Sequence, residues 1–398
     1  MSFLERLWWW GEMPVGSGNT AIVVATTAIA TTAGLSLLKR YLWRTHPNII
    51  PSPLHTLLPR LSLPELEKLE YKPDAFPGAR DVVTPYGSIR VYEWGPESGE
   101  KVLLIHGIST TVQTLSKVAH ELVNIHGCRV MFFDLFGRGF SDGVGDLPHD
   151  ARLYTTQCLL ALASSTISWT GTSAFRLIGY SLGGGIAVHF AGTFPHLVSS
   201  LVLLAPAGLI RPEAFGLATR FVFTAGLVPE RLLAAITKRR LQKPIAASSS
   251  RKPSPAPLPV VDDVVSASLA EVPSAIPSDT KPKEPRLEQI VLKYVHWMLR
   301  HHPGFIPAFM SSITHAPLIG QHEAWKKLAD RPKGSTVVIL AKGDEIIDPK
   351  DYERDALPLI GGRERVEWVL VEGGHDFPMA NEKELMRELR RVWGWDKV

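Results

Sequence analysis

Six short, largely apolar runs, each broken off at a glycine or a polar loop, constrain this chain more than any other feature. Residues 102–105 stop at His106-Gly107, 129–134 run into Leu-Phe-Gly-Arg-Gly, and 175–180 run into Ser181. Residues 201–204 stop at Ala-Pro-Ala-Gly, 337–340 near Gly343-Asp344, and 366–371 at Gly373-Gly374-His375. Runs this short, spaced by segments of helical length, predict a mostly parallel sheet flanked by helices. A hairpin is expected ahead of them, with 81–84 and 89–94 around Pro85-Tyr86-Gly87. In such sheets the working residues lie at the carboxyl ends of the strands, where these glycines and polar residues gather.

The pattern lapses between 204 and 337. Residues 213–241 read as helical, and so do 287–299, where Leu287, Ile290, Val291, Tyr294 and Met298 mark one face. Between them, about 244–286 is rich in Pro, Ser and Ala without periodicity, too poor in apolar surface to offset the entropy of ordering. That stretch is expected to be a disordered loop inside a helical cap over 209–334. The cap divides a core whose first part is 47–208 and whose second is 335–398.

The amino terminus differs from the rest. No charged residue occurs between Glu12 and Lys39, a length that matches the roughly 20 residues of a bilayer-spanning helix. Trp8, Trp9 and Trp10 precede the stretch, and Tyr41 and Trp43 follow it, as interfacial aromatics would. Lys39, Arg40 and Arg44 lie after it, so the positive-inside rule places the carboxyl-terminal side in the cytosol. The expectation is a single-pass anchor over 1–46 in an endomembrane, with the lipid bilayer as a partner. A cleaved signal peptide competes with it, although the basic start that such a peptide uses is missing, and a buried or amphipathic helix is the third alternative. The threonines weaken the span.

Several functions are disfavoured by composition. The net charge of +4 is spread along the chain, which gives nucleic-acid binding no support. Cys128 and Cys158 are the only cysteines, and the 14 histidines form no metal-ligand pair, so a CxxC-type zinc site and a disulfide framework are both excluded.

Gly179-Tyr180-Ser181-Leu182-Gly183 fits G-x-S-x-G. In such a strand-to-helix turn the residues two either side of the serine must be small, and the serine is held exposed in a strained backbone. The Gly- and Ala-rich residues 182–192 suit a helix packed closely on a sheet. His375 follows two glycines at the end of the last run, which makes it the candidate base. His189, His301, His302 and His315 lack such context and read as structural.

Together, Val-Leu-Leu-Ile-His106-Gly107-Ile108-Ser109, Phe-Asp134-Leu-Phe-Gly137-Arg138-Gly139-Phe-Ser141-Asp142 and Gly-Tyr-Ser181-Leu-Gly-Gly-Gly resemble the α/β-hydrolase superfamily. The likeness covers about 81–208 and 335 onward, and looks nearest to the branch of monoacylglycerol lipases and small carboxylesterases. It implies the α/β-hydrolase fold, with Ser181 as nucleophile, His375 as base, and the backbone N–H groups of Ile108 and Leu182 as oxyanion hole. His106 is usually structural in such proteins. Gly343-Asp344-Glu345-Ile346-Ile347-Asp348-Pro349 resembles the family's acid loop with Asp344 as the acid. It departs in having Gly343 adjacent to the aspartate, where the family places glycine three residues earlier, and this leaves Asp348 as runner-up. The order Ser, Asp, His is the one this fold uses.

The chemistry implied is acyl transfer to Ser181 from a lipid-like or otherwise apolar ester, then hydrolysis, with no cofactor or metal. An acyltransferase or lactone-forming enzyme would use the same triad with an alcohol as acceptor. A relative's His-x4-Asp acyltransferase signature is absent, because Ala380 stands there. A non-catalytic binding protein on this fold is a third reading, disfavoured by a complete triad.

Overall fold

The computed structural model describes residues 18–42, 46–171, 173–211 and 286–395. The helix expected over 213–241 and nearly all of the loop expected over 244–286 lie outside the described residues, as do Trp8–Trp10 and Trp43.

By its packing the chain divides into two compact units, one holding α1 (Gly18–Leu42) and the other the sheet. The uncharged stretch does form a helix. Among the described residues, however, no helix is long and apolar enough to cross a membrane. Thr26, Thr27, Thr31, Thr32, Gly34 and Ser36 dilute the apolar surface between Val23 and Leu38. The expected transmembrane anchor is therefore corrected, and the bilayer partner, the endomembrane location and the cytosolic orientation inferred from it fall with it.

In the other unit the apolar runs become strands. These are β1 (Arg80–Thr84), β2 (Gly87–Trp94), β3 (Lys101–Ile105), β4 (Arg129–Phe133), β5 (Phe175–Tyr180), β6 (Val198–Leu204), β7 (Thr336–Ala341) and β8 (Glu367–Val371). They form one sheet in the order 1-2-4-3-5-6-7-8. Strands β1 and β2 pair as the expected hairpin, Thr84 opposite Gly87, and β2 also runs antiparallel to β4. Every other pairing is parallel. The central strands are apolar on both sides because helices flank them: Leu103, Leu104, Ile178, Val202 and Ile339 are all fully buried.

Helices α2 (Ser116–Asn124) and α8 (Glu382–Trp393) pack together and on the sheet, as do α3 (Ala151–Ala163) and α4 (Leu182–Thr193). Asp150 caps α3 by accepting the N–H groups of Arg152 and Leu153. After the undescribed segment come α5 (Leu287–His301) and α6 (Phe305–His315). The face read from the sequence of α5 is the buried one, with Val291, Tyr294 and Met298 at most 1% exposed. Helix α5 lies against the one-turn helix Phe377–Ala380 and the 3-10 turn Val112–Leu115, the segments that follow His375 and Ile108. A further helix, α7 (Pro349–Asp355), starts just beyond β7.

Candidate active site

Strand β5 reaches its end at Tyr180, and the chain reverses into α4 within one residue. Ser181 takes φ 54° and ψ −119°, a conformation an L-residue adopts only under constraint. The glycines explain why the turn closes. A Cβ on Gly179 would lie 2.3 Å from the Gly183 carbonyl oxygen, and one on Gly183 would lie 2.2 Å from that of Ile105. The strained residue is held on both sides: its N–H donates to Leu204 O at 2.9 Å, and its carbonyl accepts the N–H groups of Gly184, Gly185 and Ala207.

His375 is brought to the serine by the loop after β8. Its Nε2 lies 3.0 Å from Ser181 Oγ, and its Nδ1 lies 2.7 Å from Asp344 Oδ2. The carboxylate can only accept, so Nδ1 carries the proton and Nε2 is left to accept the serine hydroxyl. The side chains of His375 and Asp344 are 1% and 0% exposed, which strengthens both interactions. Tyr180 donates its hydroxyl to the His375 carbonyl at 2.9 Å, fixing the loop that carries the ring.

The two aspartates after β7 have different surroundings. Asp344 Oδ1 accepts the N–H groups of Ile346 and Ile347 at 2.9 and 2.8 Å, which leaves Oδ2 for the imidazole. Gly343 lets the acid loop approach the base loop, donating its N–H to Gly373 O at 2.9 Å. Asp348 is exposed and caps α7 through the N–H groups of Lys350 and Asp351. The structure thus brings Ser181, His375 and Asp344 together and gives Asp348 a capping contact. Beside the base, partial burial raises the carboxyl pKa of Asp376, and the nearby Glu288 of α5 adds to the shift.

Ile108 lies in the loop after β3, and Leu182 is the first residue of α4, where helical N–H groups have no carbonyl partner within the helix. His106 does not face the serine chemistry. Its Nδ1–H donates to Gly107 O at 2.8 Å and its Nε2 accepts the Leu135 N–H at 2.9 Å. Burial pushes its pKa down to about 3, so it stays neutral in this role. His302 is likewise buried against Ser141 O, and His189 bonds Gln321. Sequence reading passed over Tyr180 and Arg138, both inside quoted motifs, because nothing local distinguishes a buried anchor from a variable position.

Among the described residues no group of three or more His, Cys, Asp or Glu side chains could hold a metal ion.

The chain is similar to known hydrolases over part of its length. The family model described as serine aminopeptidase, S33, matches residues 96–254. A serine hydrolase-like protein of Danio rerio is 30% identical over 129 residues, 32% of this chain and 38% of that protein. Lipase LipV of Mycobacterium tuberculosis is 32% identical over 119 residues, 30% of this chain and 42% of the relative. The chain thus spans about two-fifths of the length of these curated relatives. A solved bromoperoxidase of Bacillus anthracis superposes with a TM-score of 0.55 at 16% identity, covering 79% of this chain and 99% of that one. At that identity the likeness concerns the fold. The chain has the α/β-hydrolase fold, and the stretch that carries Ser181 lies within the residues that match the family model.

Proposed function

We propose that this protein hydrolyses a carboxylic ester with an apolar acyl group through an acyl-enzyme on Ser181. The observation that carries the reading is the unbroken hydrogen-bonded chain from Ser181 Oγ through His375 to Asp344, buried at the carboxyl edge of a parallel sheet. His375 takes the serine proton as Oγ attacks the ester carbonyl, and Asp344 steadies the imidazolium that forms. The Ile108 and Leu182 N–H groups receive the negative oxygen, a contribution of roughly 3 kcal/mol per donor in comparable enzymes. His375 returns the proton to the departing alcohol, then activates water to free the acid.

The preference for an apolar substrate rests on the apolar character of α5 and α6, whose Val291, Met298, Phe305 and Phe309 are buried. We assign them to a cap over 209–334 on a core of 47–208 and 335–398. The test is labelling by a fluorophosphonate, together with hydrolysis of p-nitrophenyl esters of graded chain length. Wild type should label and release acid steadily in water, while Ser181→Ala should do neither and melt as wild type does. Full labelling of Ser181→Ala would place the nucleophile elsewhere. Acylation without turnover until an alcohol is added would replace hydrolysis by transfer.

A further inference from the structure

Arg138 stands in the loop after β4 and is fully buried. All three guanidinium nitrogens are bonded, and every acceptor is neutral. Nε donates to Ile108 O at 2.9 Å, Nη1 to Phe136 O at 2.8 Å and Tyr154 Oη at 3.3 Å, and Nη2 to Ser312 Oγ at 3.0 Å. Among the described residues no carboxylate pairs with it. A buried cation without a counter-charge is costly, and such groups persist where something else depends on them.

The chain is shaped around this side chain. Gly137 (φ 76°) and Gly139 (φ 54°) flank it, and a Cβ at either position would collide, with Ala308 Cβ at 2.4 Å or with Asp134 Oδ2 at 2.0 Å. Only glycine on both sides turns the arginine inward while α6 comes this close. On the far side, Ser312 of α6 also meets Tyr154 Oη at 2.8 Å and donates to Ala308 O at 2.6 Å. The charge is felt locally: after burial, Arg138 is a further cause of the lowered pKa values of His106, His149 and His302.

What the guanidinium holds is the residue proposed to supply an oxyanion donor. A peptide unit is planar and trans, so the His106 bond to Gly107 O sets the direction of the Ile108 N–H. The Arg138 bond to Ile108 O fixes the next peptide. Ile108 is thereby clamped through both flanking carbonyls.

We infer that Arg138 is the positioning residue of the oxyanion strap, pinning Ile108 from the side opposite His106 and tying the strap to α6. This rests on the hydrolase reading above. A donor fixed before the reaction needs no reorganisation when charge develops, so losing the clamp weakens the transition state more than the bound ester.

The test compares wild type with Arg138→Lys, Arg138→Met and Ser312→Ala. Readouts are kcat and KM on a p-nitrophenyl ester, Ki for an alkyl boronic acid that forms a tetrahedral adduct, fluorophosphonate titration and Tm. Arg138→Lys keeps the charge but not the planar fork. It should lower kcat roughly 10- to 100-fold, less than losing a donor outright, with KM within about three-fold. The boronate Ki should rise in parallel, and Ser312→Ala should show the same pattern more weakly. A folded Arg138 variant with wild-type kcat and boronate affinity overturns the inference, as does a loss confined to KM. If no Arg138 variant folds, Ser312→Ala decides by the same split. Wild type that neither labels nor turns over overturns the hydrolase reading and this inference together, whereas labelled wild type with unchanged variants overturns the inference alone.

Discussion

Replacing Asp344 by Asn should lower kcat by about 10⁴ while Asp348→Asn leaves it within about two-fold, and the hydrogen bonds fix the reason. Two backbone N–H groups, from Ile346 and Ile347, point at one oxygen of residue 344 at 2.9 and 2.8 Å. An asparagine must keep its carbonyl there, since turning the amide over would leave both N–H groups without their acceptor, at about 1–3 kcal/mol for the buried one of Ile347. Its NH2 then faces His375 Nδ1, where Asp344 Oδ2 now accepts at 2.7 Å. A donor opposite Nδ1 moves the ring proton to Nε2, and the base beside Ser181 Oγ is lost. Four decades correspond to about 5.4 kcal/mol of transition-state stabilisation. Asn caps a helix about as well as Asp, so residue 348 has nothing comparable to lose. The assay is steady-state turnover of a p-nitrophenyl ester, with Tm as the check on folding. A folded Asp344→Asn within ten-fold of wild type, or a comparable loss in Asp348→Asn, refutes this assignment of the acid.

Gly183→Ala should cost more than about 4 kcal/mol or prevent folding, because its Cβ would sit 2.2 Å from Ile105 O and 2.6 Å from His106 O, backbone atoms at the end of β3. A thermal melt within two or three degrees of wild type would contradict the close helix–strand contact. His149 is held neutral by burial first, then by the Arg138 charge, with its pKa pushed down to about 3. An unfolded histidine titrates near 6.5, so below that pH the unfolded chain takes up a proton the native one refuses. Stability is full above about pH 6.5 and falls as the pH drops. Neither ring nitrogen has a hydrogen-bond partner among the described residues, so His149→Phe loses no bond. The substitution should make the acid-side fall between pH 6 and 4 shallower by up to about 1.4 kcal/mol per pH unit, read from urea unfolding, and an unchanged slope would mean the ring is not buried neutral.

The sequence by itself determined the sheet and the elbow. Apolar runs of strand length are a local signal, and Gly179 and Gly183 are needed for a steric reason that neighbouring residues already contain. The buried face of α5 was legible for the same reason, since a helical period repeats within a few residues. The amino-terminal segment misled in a physical way: absence of charge was legible, but crossing a membrane depends on summed apolar transfer energy, which the threonines dilute. Tertiary structure alone decided which aspartate meets the histidine. Asp344 and Asp348 lie four residues apart in one loop, and only the approach of β7 to β8 turns the first inward and leaves the second to cap α7. It alone revealed Arg138 as well. The cost of a buried guanidinium depends on acceptors 30, 16 and 174 residues away, brought together by the packing of three segments and invisible to any local pattern.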